Sequence, residues 1–442
     1  MELQRRLGLL QTTAINTIDM VGIGPFIVMS SVMAAMGGPH CVLAWIVGAL
    51  LAYADAMVWA ELGAAFPDAG GSYVFLRRLY GPQRWGRVLS FLFIWQTVFQ
   101  SSFVVASGAI GFTNYVQYVL PLPLSVQRRA LAALVIIGIV AALYRRIETI
   151  GKVSVVLAVV VVGTILWVVS AGIVGGDWTF VADIPRTFRL DGLGEAMQSS
   201  VYAILGYYNV CHLGAEVRDP ERTIPRSMFI SIALVTTLYI AMQLAVLSIV
   251  PVRQAVPDQF IVSIAIERVF GHTAAVVATV LVLLVALSSL YSVVLGYSRI
   301  PYAAAADGNF FAVFARLHPT GNFPHVSLLA IGALSVGIVL VFDKLRIVVA
   351  SILTMRILVQ FVGQAVGLLL YHRRNGWAGF PFRMWLYPVP ALLAIAMWVW
   401  LFLSRPPVAI VNGVVVLAVG VAVYLVLARR NGWFPWDNRD DR

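Results

Sequence analysis

Charge is scarce in this chain. Asp, Glu, Lys and Arg make up 12% of its 442 residues, about half the ~25% of a soluble globular domain. The 60% that are hydrophobic run in stretches too long for one soluble core. A soluble enzyme and a disordered chain are excluded together. There are two cysteines, Cys41 and Cys211, both in apolar context. They imply no disulfide framework and no metal spacing. No GxxxxGK[ST] phosphate loop occurs, so a nucleotide-driven pump is not expected. The six histidines are scattered and form no HExxH or His-rich box, so a membrane-embedded enzyme lacks its cluster. The longest connections, 174–191 and 251–271, leave no room for a sensory or nucleotide-binding domain. No metal or cofactor is expected, and any energy input must come from a gradient.

What is present is apolar length. Roughly 265 hydrophobic residues, at about 20 per membrane-spanning helix, allow about a dozen spans. Run length and breaks at charge, Pro and Gly set them at 13–36, 39–65, 84–117, 126–144, 150–173, 192–214, 224–250, 272–303, 325–343, 346–371, 382–404 and 407–428. The chain reads as an all-α membrane protein, a single transmembrane domain over 1–442. The net charge of +11 does not point to nucleic acid, because Lys and Arg gather in cytoplasmic loops. With the N-terminus inside, those loops hold about 21 of the 31 Lys and Arg; Arg128 and Arg129 are a local exception. A multi-pass protein of the plasma (inner) membrane is expected, with both termini cytoplasmic and lipid around it.

Span 1 is interrupted. Gly22-Ile23-Gly24-Pro25 places two glycines and a proline near its middle. Glycine leaves helical angles without a Cβ penalty, and proline removes a donor. Lipid tolerates the freed backbone groups only in protein or at a cavity. Span 6 carries one glycine amid aromatics, in Tyr202-Ala203-Ile204-Leu205-Gly206-Tyr207-Tyr208. Breaks in spans 1 and 6 are the offset expected of inverted repeats, 13–173 and 192–371, followed by 382–428 and a tail at 429–442. Paired interrupted helices point to a transporter's midplane site. Each half-helix N-terminus offers free N–H groups to a carboxylate. A channel is disfavoured, since no filter-like carbonyl repeat occurs.

These motifs resemble the amino acid–polyamine–organocation superfamily of permeases. The resemblance covers spans 1–10. Gly22-Ile23-Gly24-Pro25-Phe26 is similar to the family's span 1 break. Trp59-Ala60-Glu61-Leu62-Gly63-Ala64-Ala65-Phe66-Pro67 with Gly70-Gly71-Ser72-Tyr73 is similar to its span 2 end and first loop. Glu216–Arg226 resembles the loop after span 6, and Ser298-Arg299 with Ala306-Asp307-Gly308 the end of span 8. The resemblance implies the five-plus-five inverted-repeat (LeuT-type) fold with two extra C-terminal helices. It implies secondary transport of amino acids or related amines. The substrate carboxylate would meet the backbone at Gly22, Ile23 and Gly24, and the amino group carbonyls near Val21, Ala203 and Ile204. Tyr202 falls where the family places an aromatic gate. Tyr208, two positions after Gly206, stands where members selective for diamines or arginine carry an acid, which favours a neutral amino acid. Aligning Lys152 with the basic residue that opens the family's span 5 puts Val161 where many proton-linked members carry a lysine. Proton coupling and exchange both stay open; polyamine or cationic amino acid uptake is the alternative substrate class.

Ionisable groups within a bilayer are costly and are functional candidates. Asp19 could bind a proton, a cation or an amine, or hydrogen-bond the unwound backbone. Asp55 suits function or helix-to-helix bonding, and Glu61 anchors the first loop. Arg356, inside span 10, could replace the missing span 5 charge, hold a gate, or sit in a structural ion pair. His212 suits a proton role or a satisfied core position. Ser288 and Ser289 could complete a sodium site, a less favoured ion than the proton, or bond their preceding turn. In the cytoplasmic loop, Glu216, Arg218 and Arg226 suggest salt bridges to Arg77 and Arg78 that lock a gate, or a solvated loop near phospholipid.

Overall fold

The computed structural model describes residues 5, 7–68, 70–144, 150–182, 190–254, 260–319, 321, 323–342 and 345–436. Among the basic residues assigned to one side, Arg6, Arg145, Arg146, Arg439 and Arg442 lie outside the described residues, as does the side chain of Lys152. Helices account for every regular element among the described residues. They are α1 (Leu9–Met20), α2 (Gly24–Met36), α3 (Val42–Ala65), α4 (Ser72–Tyr80), α5 (Trp85–Val119), α6 (Ser125–Leu143), α7 (Ile150–Gly175), α8 (Thr179–Ala182), α9 (Leu193–Ile204), α10 (Asn209–His212), α11 (Pro220–Ile249), α12 (Ile261–Phe270), α13 (His272–Ala306), α14 (His325–Val341), α15 (Leu345–Arg356), α16 (Gly363–Asn375), α17 (Val389–Leu403) and α18 (Pro407–Asn431). A π-helical segment, Ile357–Val362, joins α15 to α16.

Seven of these helical stretches are long and apolar enough to cross a membrane, and eight if α1 and α2, bent by 50°, count as one span. Three shorter apolar helices, Val159–Gly175, His325–Val341 and Val389–Leu403, add to them. The chain is a multi-pass membrane protein. α6 and α18 turn much of their surface outward, with Val126, Leu134, Val411 and Val415 exposed. Such an apolar exterior suits hydrocarbon. The interior is built by α11 along α3 and α1, and by α13 along α5.

Besides the four-residue α8, two helices were not expected from run length. α4 buries Ser72, Tyr73, Phe75, Leu76 and Leu79, an i, i+3, i+4 stripe on a nine-residue helix. α12 buries Ile261, Val262, Ser263, Ala265 and Ile266, where the sequence suggested a plain connection. Each is amphipathic and too short to span, so a search for long apolar runs passes over it. The span expected at 382–404 starts late, because α17 begins at Val389.

Glu61 is completely buried in α3. Its Oε1 lies 2.8 Å from Nε2 of His372, which is buried in α16. Nδ1 of His372 donates to the Gly376 carbonyl at 2.9 Å. With that ring nitrogen committed as a donor, the Glu61–His372 contact requires one proton, on either partner. The pair ties α3 to the α16 end, under Trp377 and Phe380. Removing one partner of a buried pair costs about 3–5 kcal/mol. Glu61→Ala is therefore expected to lower the thermal midpoint of the detergent-purified protein by several degrees. An unchanged midpoint would show that the pair does not hold these helices.

Candidate functional site

Both breaks form, and they meet. α1 ends at Met20 and α2 begins at Gly24. Pro25 sits in the first turn of α2, where its missing N–H is harmless. α9 ends at Ile204, and Gly206 adopts φ +125° before α10. A Cβ at Gly206 would lie 2.9 Å from the Asp19 carbonyl carbon and the Met20 nitrogen. The two unwound segments thus touch backbone to backbone. A Cβ at Gly24 would stand 3.5 Å from the Cα of Ala203.

The peptide N–H groups of Gly22, Ile23 and Gly24, and of Gly206, Tyr207 and Tyr208, have no backbone acceptor among the described residues. On the opposite side, the Tyr239 hydroxyl from α11 lies 2.9 Å from the Met20 carbonyl and 3.4 Å from that of Ala203. One hydroxyl thereby spans a carbonyl from each break. Asn16 fastens the flanking helices, its Oδ1 accepting from the Val210 N–H at 2.9 Å.

A cavity of about 80 Å³ lies at this junction. One water needs about 10–15 Å³ by this measure, so there is room for a handful of non-hydrogen atoms. Asp19, Gly22, Ile23, Gly24, Tyr202, Ala203, Gly206, Tyr208 and Arg356 all line it. Sequence reasoning missed Val104, Gly108, Leu205 and Tyr297 as lining residues; they are ordinary apolar or aromatic positions within spans, with no local signal. Val21 and Ile204 do not line the cavity; both are buried in the core. They sit one residue from the lining positions Met20 and Leu205. Tyr202 accepts or donates a hydrogen bond with Ser107 of α5 at 2.7 Å, which fixes its ring over the space. Ser289 lines the cavity against Gly22, where an added Cβ would collide with its Oγ. Ser288 instead donates to the Leu284 carbonyl at 2.8 Å.

The other ionisable candidates fall elsewhere. Asp55 is buried away from the cavity. It accepts from the Tyr207 hydroxyl at 2.6 Å and from Trp398 Nε1 at 3.1 Å, bonding α3 to the second break and to α17. His212 is packed against Gly71 and Trp59. Arg356 stays with the cavity. Its Nε donates to Gln360 at 2.8 Å, and its guanidinium stands 5.0 Å from the Tyr208 ring centre and 5.5 Å from that of Phe361.

The expected lock between the Glu216–Arg226 loop and Arg77/Arg78 is not formed among the described residues. Arg77 approaches Asp307 at 3.8 Å and Arg78 approaches Asp68 at 3.6 Å. The Glu216 and Arg218 backbones pair with Leu7 instead, at 2.9 and 2.8 Å, and Arg226 is exposed. Backbone pairing with the N-terminal segment takes up the loop that its charges suggested for a salt-bridge network. The GGSY and ADG motifs do meet. The Tyr73 hydroxyl donates to Asp307 at 3.1 Å and accepts from Asn309 at 2.6 Å.

A family model described as amino acid permease matches residues 7–427. An uncharacterized transporter of Mycobacterium tuberculosis is 29% identical over 435 residues, covering 96% of this chain and 91% of that protein. The methylthioribose transporter of Bacillus subtilis is 24% identical, over 97% and 94%. The serine/threonine exchanger of the same organism is 25% identical, over 89% of each.

The backbone contact at Gly206 leads to an expectation. Gly206→Ala combines a strained φ with a collision, a cost of about 1–3 kcal/mol, and is expected to abolish transport. Gly337→Ala, where an added Cβ meets nothing within 4 Å, should leave transport intact. Uptake assays on the two variants at equal expression check this; activity in Gly206→Ala would contradict the geometry.

Proposed function

Because the chain belongs to the amino acid permease family, whose relatives here are transporters rather than enzymes, we propose that it is a secondary carrier of neutral amino acids across the plasma membrane. In this reading α1–α7 and α9–α16 are inverted repeats, α17 and α18 are the two added spans, and both termini are cytoplasmic. The substrate site is the cavity between the breaks. The carboxylate sits on the N–H groups of Gly22, Ile23 and Gly24 at the start of α2, where the helix dipole favours negative charge. The amino group turns to the side of Asp19, which lines the same cavity. Tyr202 closes over the bound molecule. Transport proceeds by rocking of one helix bundle against the rest, driven by a proton gradient or by exchange.

One observation carries the proposal. Two chain breaks, far apart in sequence, line one partly open cavity, and the N–H groups of Gly22, Ile23, Gly24, Gly206 and Tyr208 there have no backbone acceptor among the described residues. A neutral substrate is favoured over a cationic one because the cavity wall includes Arg356 and carries Tyr208 after the second break.

The test is counterflow in proteoliposomes with radiolabelled neutral amino acids, lysine and putrescine, with and without a pH gradient. Saturable counterflow of a neutral amino acid is expected. Stimulation by the gradient assigns proton coupling, and indifference assigns exchange. Movement of lysine or putrescine alone would overturn the substrate assignment.

A further inference from the structure

Arg356 is 5% exposed. A buried guanidinium is costly unless its donors are met. Nε has Gln360, and the planar head lies on Tyr208 and Phe361. Nη1 and Nη2 have no protein acceptor, yet they are not sealed into the core as those of Arg405 are. They open onto the cavity that Arg356 lines.

No carboxylate among the described residues forms a close ion pair with them, although the Asp19 charge acts on Arg356 across the cavity. Asp55 is occupied by Tyr207 and Trp398. Asp19 lines the same cavity but makes no ion pair with Arg356. The arginine is held rigidly by its stacking and by Gln360, at the point where the chain turns into the π-helical segment. Such segments often mark functional sites. The result is a guanidinium held in place at the cavity wall.

We infer that Arg356 is the specificity residue of this cavity: it donates to an oxygen acceptor on the substrate's side chain and repels ammonium and guanidinium side chains. The inference rests on the carrier reading above and narrows it to oxygen-bearing neutral amino acids. A guanidinium binds planar and lone-pair acceptors well. A methyl group in place of a hydroxyl would leave the fork unmet.

The test uses isosteric pairs as competitors of counterflow in proteoliposomes. Threonine is compared with valine, asparagine with leucine, and lysine is included. A hydrogen bond to a charged group corresponds to about tenfold or more in affinity. In the native protein, threonine and asparagine are therefore expected to compete at about tenfold lower concentration than valine and leucine, with lysine inert. Arg356→Gln should bring both ratios towards one and admit lysine. Arg356→Lys should keep lysine out. Ratios near one in the native protein, or unchanged ratios in Arg356→Gln, would overturn the inference while leaving the carrier reading standing. If Arg356→Gln fails to accumulate, the native ratios decide alone. Absence of counterflow with every amino acid would overturn the carrier reading, and this inference with it.

Discussion

The structure depends on how two interrupted helices satisfy their backbones inside an apolar surround. Hydrocarbon offers no partner to a free N–H or C=O, and each unmet group costs several kcal/mol. Here the carbonyl side is met by protein: Tyr239 reaches Met20 and Ala203, one from each break. The N–H groups of Gly22–Gly24 and Gly206–Tyr208 have no backbone acceptor among the described residues, and all of these residues except Tyr207 line the cavity. In the proposed reading this asymmetry suits the space to an anionic group. Glycine at 206 allows the two segments to touch, since any Cβ there would meet the Asp19–Met20 peptide.

The remaining buried charges divide by what they touch. Asp55 and Glu61 are consumed by their neighbours, Tyr207 with Trp398 and His372 respectively. They hold α3 to the second break, to α17 and to α16. Asp19 and Arg356 line the cavity. The same residue type in the same apolar setting is thus a tie in one place and a cavity group in another. Available partners decide between them.

Much of this was legible in the sequence. Long apolar runs located the principal helices, and the density of Gly and Pro at 22–25 marked a break that the fold uses. Gly206 was weaker alone and gained weight from its offset to the first break. Short amphipathic pieces, α4 and α12, were not legible, because their signal is a stripe of five residues rather than a run. The His372 partner of Glu61 was not legible either. The two are 311 positions apart, and no local pattern links them. Tyr239 looked like any aromatic in an apolar span. The charge-based lock at Glu216–Arg226 is not formed in this structure for a related reason: composition shows which charges are present, but not that the backbone of Leu7 pairs with the loop.

The central claim is that the cavity between the two breaks holds the transported molecule. Its most direct test is substrate protection of a single thiol. Ser289 lines the cavity, and the native Cys41 and Cys211 are free and buried. In a Cys41→Ser, Cys211→Ser background, Ser289→Cys should react with a small maleimide, and saturating substrate should slow that reaction severalfold. A control thiol at Ser404, outside the cavity, should be indifferent to substrate. Equal labelling of Ser289→Cys with and without a substrate that the same variant still transports would contradict the account.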